Sequence, residues 1–525
     1  MLKTVIYTLR EKENLSQEKL AEILGVSRQA VQKWETGVSV PELSKIIEIS
    51  KHFGISLDTM LLGRTRRIAV DELKYKDIKP LYENIHDWEF YASSIMDEYK
   101  QSTDEGLDIE QYKNLFEAVD KLPKDEIKND LANVLQKIVI NADIKKCYKY
   151  KEPSELTEIK ALRKEYPITK KDPKNLEDKI YGAWMGRICG CMLGKSVEGV
   201  RSDELIPFLK ETNNFPLHRY IFKSDITKEI SKKYNYDFMS RCYADEIVGM
   251  PSDDDTNYTV LSQLIVDNYG RTFTPDNISK MWLKCQSKDA YCTAERVAFC
   301  NFVKGYMPPE SAVHKNPYRE WIGARIRGDY WGYINPGNPE LAAEMAWRDA
   351  SISHVKNGIY GEMFAAAMIA TAAVTNVPEE IILSGISQIP CTSRLYDSIT
   401  KILDYYKDGK SKKEVFEYIY DQYDEKSSYG WCHTIPNDMI VVASLLYGNG
   451  DFVKSICMAV ESAFDTDCNG ATVGSILGMA NGIKSIPPEW ASPMNDTLHT
   501  SIFGVGTLKI SDAAKKTITH ISNQN

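Results

Sequence analysis

Two short acidic runs in this chain have the composition of a cation site. The first is Pro251-Ser252-Asp253-Asp254-Asp255-Thr256-Asn257, and the second is Phe464-Asp465-Thr466-Asp467-Cys468-Asn469-Gly470. Neighbouring carboxylates repel unless a cation lies between them, and hard oxygen donors suit Mg²⁺, Mn²⁺ or Ca²⁺. Each run precedes an apolar helical stretch, so a capping role at a helix start accounts for one aspartate. It does not account for three in a row. A two-metal site needs carboxylates from two elements, and these two runs could supply them.

Something must hold two runs some two hundred residues apart in one place. Gly182, Gly186, Gly190 and Gly194 recur every four residues, and Gly470, Gly474, Gly478 and Gly482 do the same. A glycine inside a helix costs about 1 kcal/mol relative to alanine. Two such ridges predict very close helix packing beneath the Asp465/Asp467 loop. The region from about 175 to 520 shows several helix-length apolar runs and no alternating strand pattern, which predicts an all-α fold.

These segments resemble the ADP-ribosylglycohydrolases. Tyr181–Gly199, Asp254-Asp255-Thr256 and Asp465-Thr466-Asp467-Cys468-Asn469-Gly470 look like that family's three signature segments, in order and separation. Ser353-His354-Val355-Lys356-Asn357-Gly358 and Gly323-Ala324-Arg325-Ile326-Arg327 also fit. The resemblance implies a large all-α domain with two Mg²⁺ ions, or Mn²⁺, held by Asp253, Asp254, Asp255, Asp465, Asp467 and Cys468. It implies Glu198, Asp255 and Asp467 as proton-transfer groups, with Glu198 covering the metal centre. Asp253 stands where many relatives carry a threonine, and Cys468 where some carry a threonine or serine. Cys191 replaces an aspartate usual in the first segment. The implied activity is hydrolysis of the bond joining ADP-ribose to an acceptor on protein or nucleic acid, a glycoside cleavage needing a nucleophilic water and a proton donor. The alternative is a regulator that senses ADP-ribose or another NAD-derived ligand without turnover.

Arg325 or Arg327 is expected to pair with a diphosphate, and His354, Asn469 and Gly470 to contact the substrate. Asp329, Trp331 and the turn 335–339 could shape a pocket lip, and His433 and Asn437 could line it. Lys195 reads as a solvated charge.

The first 62 residues carry a second mechanism. Ser16 and Ser27 suit helix N-caps, Gly25 a turn, and Gly37 a helix end. Two short helices joined by such a turn can place the second in a DNA major groove. Its exposed face would present Arg28, Gln29, Gln32 and Lys33, types that read base edges and phosphates. Ser27 and Gln17 would add contacts to the backbone. The segment resembles the XRE/Cro-type helix-turn-helix family, which implies a five-helix domain over 1–67, double-stranded DNA as partner, and a homodimer on paired half-sites.

Composition fits a soluble, two-function chain of 525 residues. The net charge is −9, yet residues 1–67 carry 11 Lys and Arg against 8 Asp and Glu. A basic module therefore sits beside an acidic one. No apolar run reaches the roughly 18 residues of a membrane span. The start lacks a signal-peptide pattern, and the eleven cysteines show no disulfide spacing, so the expectation is a cytoplasmic protein with no membrane partner. Residues 68–174 read as a helical connector whose aromatics, Trp88, Phe90, Tyr91 and Tyr99, need a partner surface. The Lys-rich stretch 145–174 reads as a solvated, partly flexible hinge, and the hydrolase-like domain as 175–525.

Overall fold

The computed structural model describes residues 2–55, 57, 60, 79–167 and 172–522. They form two compact units, Met1–Leu81 and Tyr82–Asn525. No helix among the described residues is long and apolar enough to cross a membrane.

The first unit is built from helices Leu2–Lys12, Gln17–Ile23, Arg28–Thr36 and Leu43–His52. The expected caps are in place. Ser16 Oγ accepts from Lys19 N at 3.1 Å and Ser27 Oγ from Ala30 N at 3.2 Å. Gly37 closes the third helix in the left-handed region, φ 80°. Ile6, Leu20, Val31, Trp34 and Ile49 fill the core. The fifth expected helix falls on 56–62 and, apart from Leu57 and Met60, lies outside the described residues.

Among its described residues the second unit is all-α apart from one two-stranded hairpin, Thr497–His499 against Thr507–Lys509. Its centre holds helices that are apolar on every side, and such helices are stable only when surrounded by others. Lys356–Ala372 is buried at every residue after Lys356. Around it pack Pro339–Ala350, Pro378–Ile386, Thr434–Gly448 and the glycine helix Thr466–Asn481, which in turn packs on the other glycine helix, Leu176–Lys195.

The glycine helices run antiparallel with their ridges in register. A Cβ placed on Gly182 would lie 2.5 Å from the Gly478 carbonyl oxygen, and one on Gly186 or Gly190 closer still to that of Gly474 or Gly470. The backbones therefore touch directly. The register carries the end of the first helix onto the start of the second: Gly194 faces Thr466 and Asp467, and Thr466 Oγ1 donates to Gly194 O at 2.9 Å.

The connector is helical, as expected, but it is not a separate element. Ile95–Asp104, Lys113–Asp120 and Glu126–Ile140 belong to the second unit. Buried ion pairs fasten it: Arg319 holds Glu98 at 2.9 Å and Glu105 at 2.6 Å, and Arg394 holds Glu152 at 2.9 Å and Glu320 at 2.7 Å. Removing one partner of such a pair costs about 3–5 kcal/mol. The expected hinge at 145–174 is corrected accordingly. Residues 148–163 form a docked strap, with Lys151 N on Thr392 O and Arg163 Nε on Gln388 O. Local lysine content hid the backbone partners that fix it.

Gly190→Ala drives a methyl group into the Gly470 backbone. The expected loss is about 3 kcal/mol, the upper range for overpacking, seen as a lower denaturant midpoint by circular dichroism. An exposed substitution at an ordinary helical position, such as Lys232→Ala, is the comparison.

Candidate functional site

Asp253 caps the helix Asp254–Tyr269: one oxygen accepts from Asp255 N at 3.0 Å and the other meets Lys195 Nζ at 2.5 Å. Lys195 is thus part of the site and not a solvated charge. Burial pushes the Asp253 carboxyl up, but Lys195, the Cys191 thiol and the Asp255 N–H together hold the group below its usual range. Asp255 is fully buried. Arg187 grips its carboxylate at 3.0 Å and its carbonyl at 2.7 Å, and pairs with Asp329 at 2.7 Å.

The second run is held by a relay. Arg325 Nη2 donates to Asn469 Oδ1 at 2.8 Å, Asn469 Nδ2 to Asn437 Oδ1 at 2.8 Å, and Asp465 N to that same oxygen at 3.2 Å. Ala463 sits in the left-handed region at φ 58°, a strained conformation for a residue with a side chain. It turns the chain into Asp465. Asp467 follows in the first helical turn and is 3% exposed.

The two runs meet. Potential ligand atoms of Asp255, Asp467 and Cys468 lie within 4.8 Å of one another, as do those of Cys191, Asp253 and Asp255. Asp255 Oδ2 and Asp467 Oδ1 are buried with no hydrogen-bond partner. Burial and the neighbouring Asp253 and Asp467 charges push Asp254 up to about 7. Burial and Asp467 raise Asp465 well above the carboxylate range. Crowded, desolvated carboxylates with free oxygens match what a divalent cation requires.

A cavity of about 440 Å³ opens on this cluster, lined there by Glu198, Asp254, Asp465, Asp467 and Cys468. Asp253 and Asp255 lie behind that wall. Glu198 is raised well above its usual range by Asp467 and by burial. The opposite wall is aromatic, with Tyr318, Trp321 and Trp431. Arg201 lies over the Trp431 ring, 4.7 Å from its centroid. Trp321 Nε1, Trp431 Nε1 and Arg201 Nη1 are buried donors without acceptors. The connector completes the enclosure with Asp87, Trp88, Ser94 and Asp97.

Several expected contacts are placed elsewhere. Arg327 is 1% exposed and bound to Glu295 at 2.8 Å and Asp349 at 3.2 Å. Arg325 is spent on the relay. Gly470 lies in the helix contact, and Asn469 positions the Asp465 loop. His354 is fully buried beside Ser353 and borders a different cavity, with Trp347 and Pro308. Burial, then Arg327, holds its ring well below the usual histidine range. Asp329 and Trp331 are interior, and Asn335 of the expected lip turn is buried too. His433 borders another cavity, stacked on Tyr423. Arg201, Trp321, Trp431 and Asp97 were not anticipated, because each is a lone residue from a different element; Trp88 was expected only to need a partner surface.

In the first unit Arg28, Gln29, Gln32 and Lys33 are exposed on the third helix, next to Ser27. Arg28 pairs with Glu18 at 2.7 Å on the surface. Gln17 differs from expectation: its amide donates to Glu35 Oε2 at 2.8 Å, beside the Arg10–Glu35 pair. It braces the two helices together.

Asp97 gives a measurable signature. Burial pushes its carboxyl up to about 6, against a partial lowering by Ser428. The folded state therefore binds more protons than the unfolded state between pH 4 and pH 6, and stability falls as pH rises through that window. Asp97→Asn removes the loss. The expected gain is about 2 kcal/mol at pH 7.5 and close to none at pH 4, by urea unfolding. Equal effects at both pH values would exclude a raised Asp97.

Comparison with known proteins follows this division. A helix-turn-helix family profile matches residues 6–60. The HTH-type transcriptional activator BcrR of Enterococcus faecalis is 37% identical over 78 residues, 15% of this chain and 38% of that protein. The SPbeta prophage-derived uncharacterized HTH-type transcriptional regulator YonR of Bacillus subtilis (strain 168) is 33% identical over 64 residues, 12% of this chain and 59% of that protein. The chain thus spans less than two thirds of either relative. A solved structure described as an ADP-ribosylglycohydrolase-related protein complex aligns at a TM-score of 0.41 and 15% identity, covering 66% of this chain and 98% of that one. A family profile described as ADP-ribosylglycohydrolase matches residues 172–521. The chain carries an N-terminal helix-turn-helix domain, and it belongs to the ADP-ribosylglycohydrolase family.

Proposed function

We propose that the second unit is a divalent-metal-dependent hydrolase that releases ADP-ribose from an acceptor on protein or nucleic acid, and that the first unit brings it to double-stranded DNA. The observation that carries the enzymatic reading is the meeting of two distant aspartate runs, with buried unpaired oxygens, beside an enclosed cavity. Asp253, Asp254, Asp255, Asp465 and Asp467 would hold Mg²⁺ or Mn²⁺. Such ions would supply Lewis-acid polarisation and an activated nucleophile at neutral pH.

The chain's own groups do the rest. Glu198 lines the cavity beside Asp467, where a carboxyl could donate a proton to a leaving acceptor. Asp467, lining the same wall, is the partner carboxylate. Arg187 fixes Asp255 so that its free oxygen stays inside the cluster. Arg201 and the two indole N–H groups offer unpaired donors to a diphosphate or to ribose oxygens, the role first expected of Arg325 and Arg327. The aromatic wall suits a planar ring and excludes water.

The test is release of ADP-ribose from modified arginine, serine or DNA in the presence of Mg²⁺ or Mn²⁺. Asp467→Asn should lower the rate about a hundredfold or more, the scale of perturbed metal centres. Arg201→Ala should cost about tenfold to a hundredfold in kcat/KM, as expected for losing charge-assisted hydrogen bonds. Wild type that binds ADP-ribose yet releases none sinks the hydrolase reading and leaves a sensor.

For the first unit, a fluorescent duplex chosen by in vitro selection is the probe. Gln32→Ala should cost about 1–3 kcal/mol and relax preference at one base, whereas Lys33→Ala should weaken all sequences and reduce the salt slope by about 1. Unchanged binding in both variants would remove the third helix from the interface.

A further inference from the structure

The aspartate cluster has sulfur in it. Cys191 sits on the first glycine helix with its Sγ among the Asp253 and Asp255 oxygens, and Cys468 sits beside Asp255 and Asp467. The two groups share Asp255, so a thiol lies within 4.8 Å of that carboxylate in each. All five residues are buried. Asp255 Oδ2 and Asp467 Oδ1, one in each group's reach, have no hydrogen-bond partner. Cys189, two residues before Cys191, is different: its thiol donates to the Trp490 carbonyl at 3.2 Å, away from the aspartates.

Sulfur changes which ion fits. Mg²⁺ takes hard oxygen ligands and sheds water reluctantly, whereas thiolate donors select softer ions such as Zn²⁺, Co²⁺ and Fe²⁺. Mixed sulfur and carboxylate sets with neighbouring oxygens suit these borderline ions.

We propose that Cys191 and Cys468 are metal ligands, and that this centre takes a borderline transition-metal ion of the Zn²⁺ and Fe²⁺ class in preference to Mg²⁺. The proposal rests on the reading of the aspartate cluster as a metal centre and refines its chemistry. Each cysteine serves one half of the site, with Asp255 between them. Metal binding displaces each thiol proton to solvent, leaving a thiolate–metal bond and no change of oxidation state.

The experiment uses the full-length, metal-stripped protein titrated with Co²⁺ and followed by near-ultraviolet absorption and calorimetry. A sulfur-to-cobalt charge-transfer band is expected on binding. Cys191→Ser and Cys468→Ser should each remove about half of it, and the double variant all of it. Cys189→Ser should leave it intact. Zn²⁺ affinity should fall about tenfold or more in each ligand variant, while Mg²⁺ affinity holds or rises. Circular dichroism confirms that each variant is folded. Co²⁺ binding without the band overturns the sulfur ligands and leaves a carboxylate metal centre standing. A band that survives both serine variants does the same. Loss in only one variant overturns the assignment of the other cysteine. A folded wild-type chain that binds no divalent cation overturns this proposal and the metal-dependent reading together.

Discussion

Everything in the second unit is arranged around one contact: two helices whose backbones touch. Glycine at every fourth position removes the side chains that would keep Leu176–Lys195 and Thr466–Asn481 apart. The close approach gives up side-chain burial and replaces it with carbonyl-to-backbone packing, including weak Cα–H···O contacts. The gain is positional. Helices spaced by side chains can slide or roll by small amounts, but two interlocked backbones cannot. The carboxylates at the end of one helix are therefore fixed against the thiol and ammonium groups at the end of the other.

The rest of the site is tuned by charge below that contact. Arg187 lies between Asp255 and Asp329, and Arg327 among Glu295, Asp349 and Glu362. These cations face away from the cavity. They steady the acidic groups that approach it, and so the interior arginines are built into the scaffold. Arg201 stands apart, since its guanidinium borders the cavity and rests on an indole.

What could be read from the sequence follows from how local each signal is. The aspartate runs, the glycine ridges and the helix caps are contiguous patterns with a direct physical meaning, and each was found where it was expected. Arg325 and Arg327 were expected to meet a diphosphate and not to be buried, because their partners Asn469, Glu295 and Asp349 lie on other elements. Of the pocket's aromatic wall, only Trp88 showed in the sequence, as one of a run of aromatics needing a partner surface. Trp88, Trp321 and Trp431 become neighbours only through the fold. The same holds for the strap at 148–163, whose lysines suggested a solvated hinge although its backbone is bonded to Thr392 and its side chains to the domain.

The connector's place at the cavity has a thermodynamic consequence. Asp87, Trp88, Ser94 and Asp97 precede the family-matched region yet form part of the enclosure. Any occupant that touches them strengthens the docking of that segment by the free energy of those contacts. By reciprocity, whatever loosens the segment weakens the occupant by the same factor. Occupancy of the cavity and the seating of residues 82–97 are thus a single linked equilibrium, and the stretch of chain that shares it is the one that follows the helix-turn-helix unit.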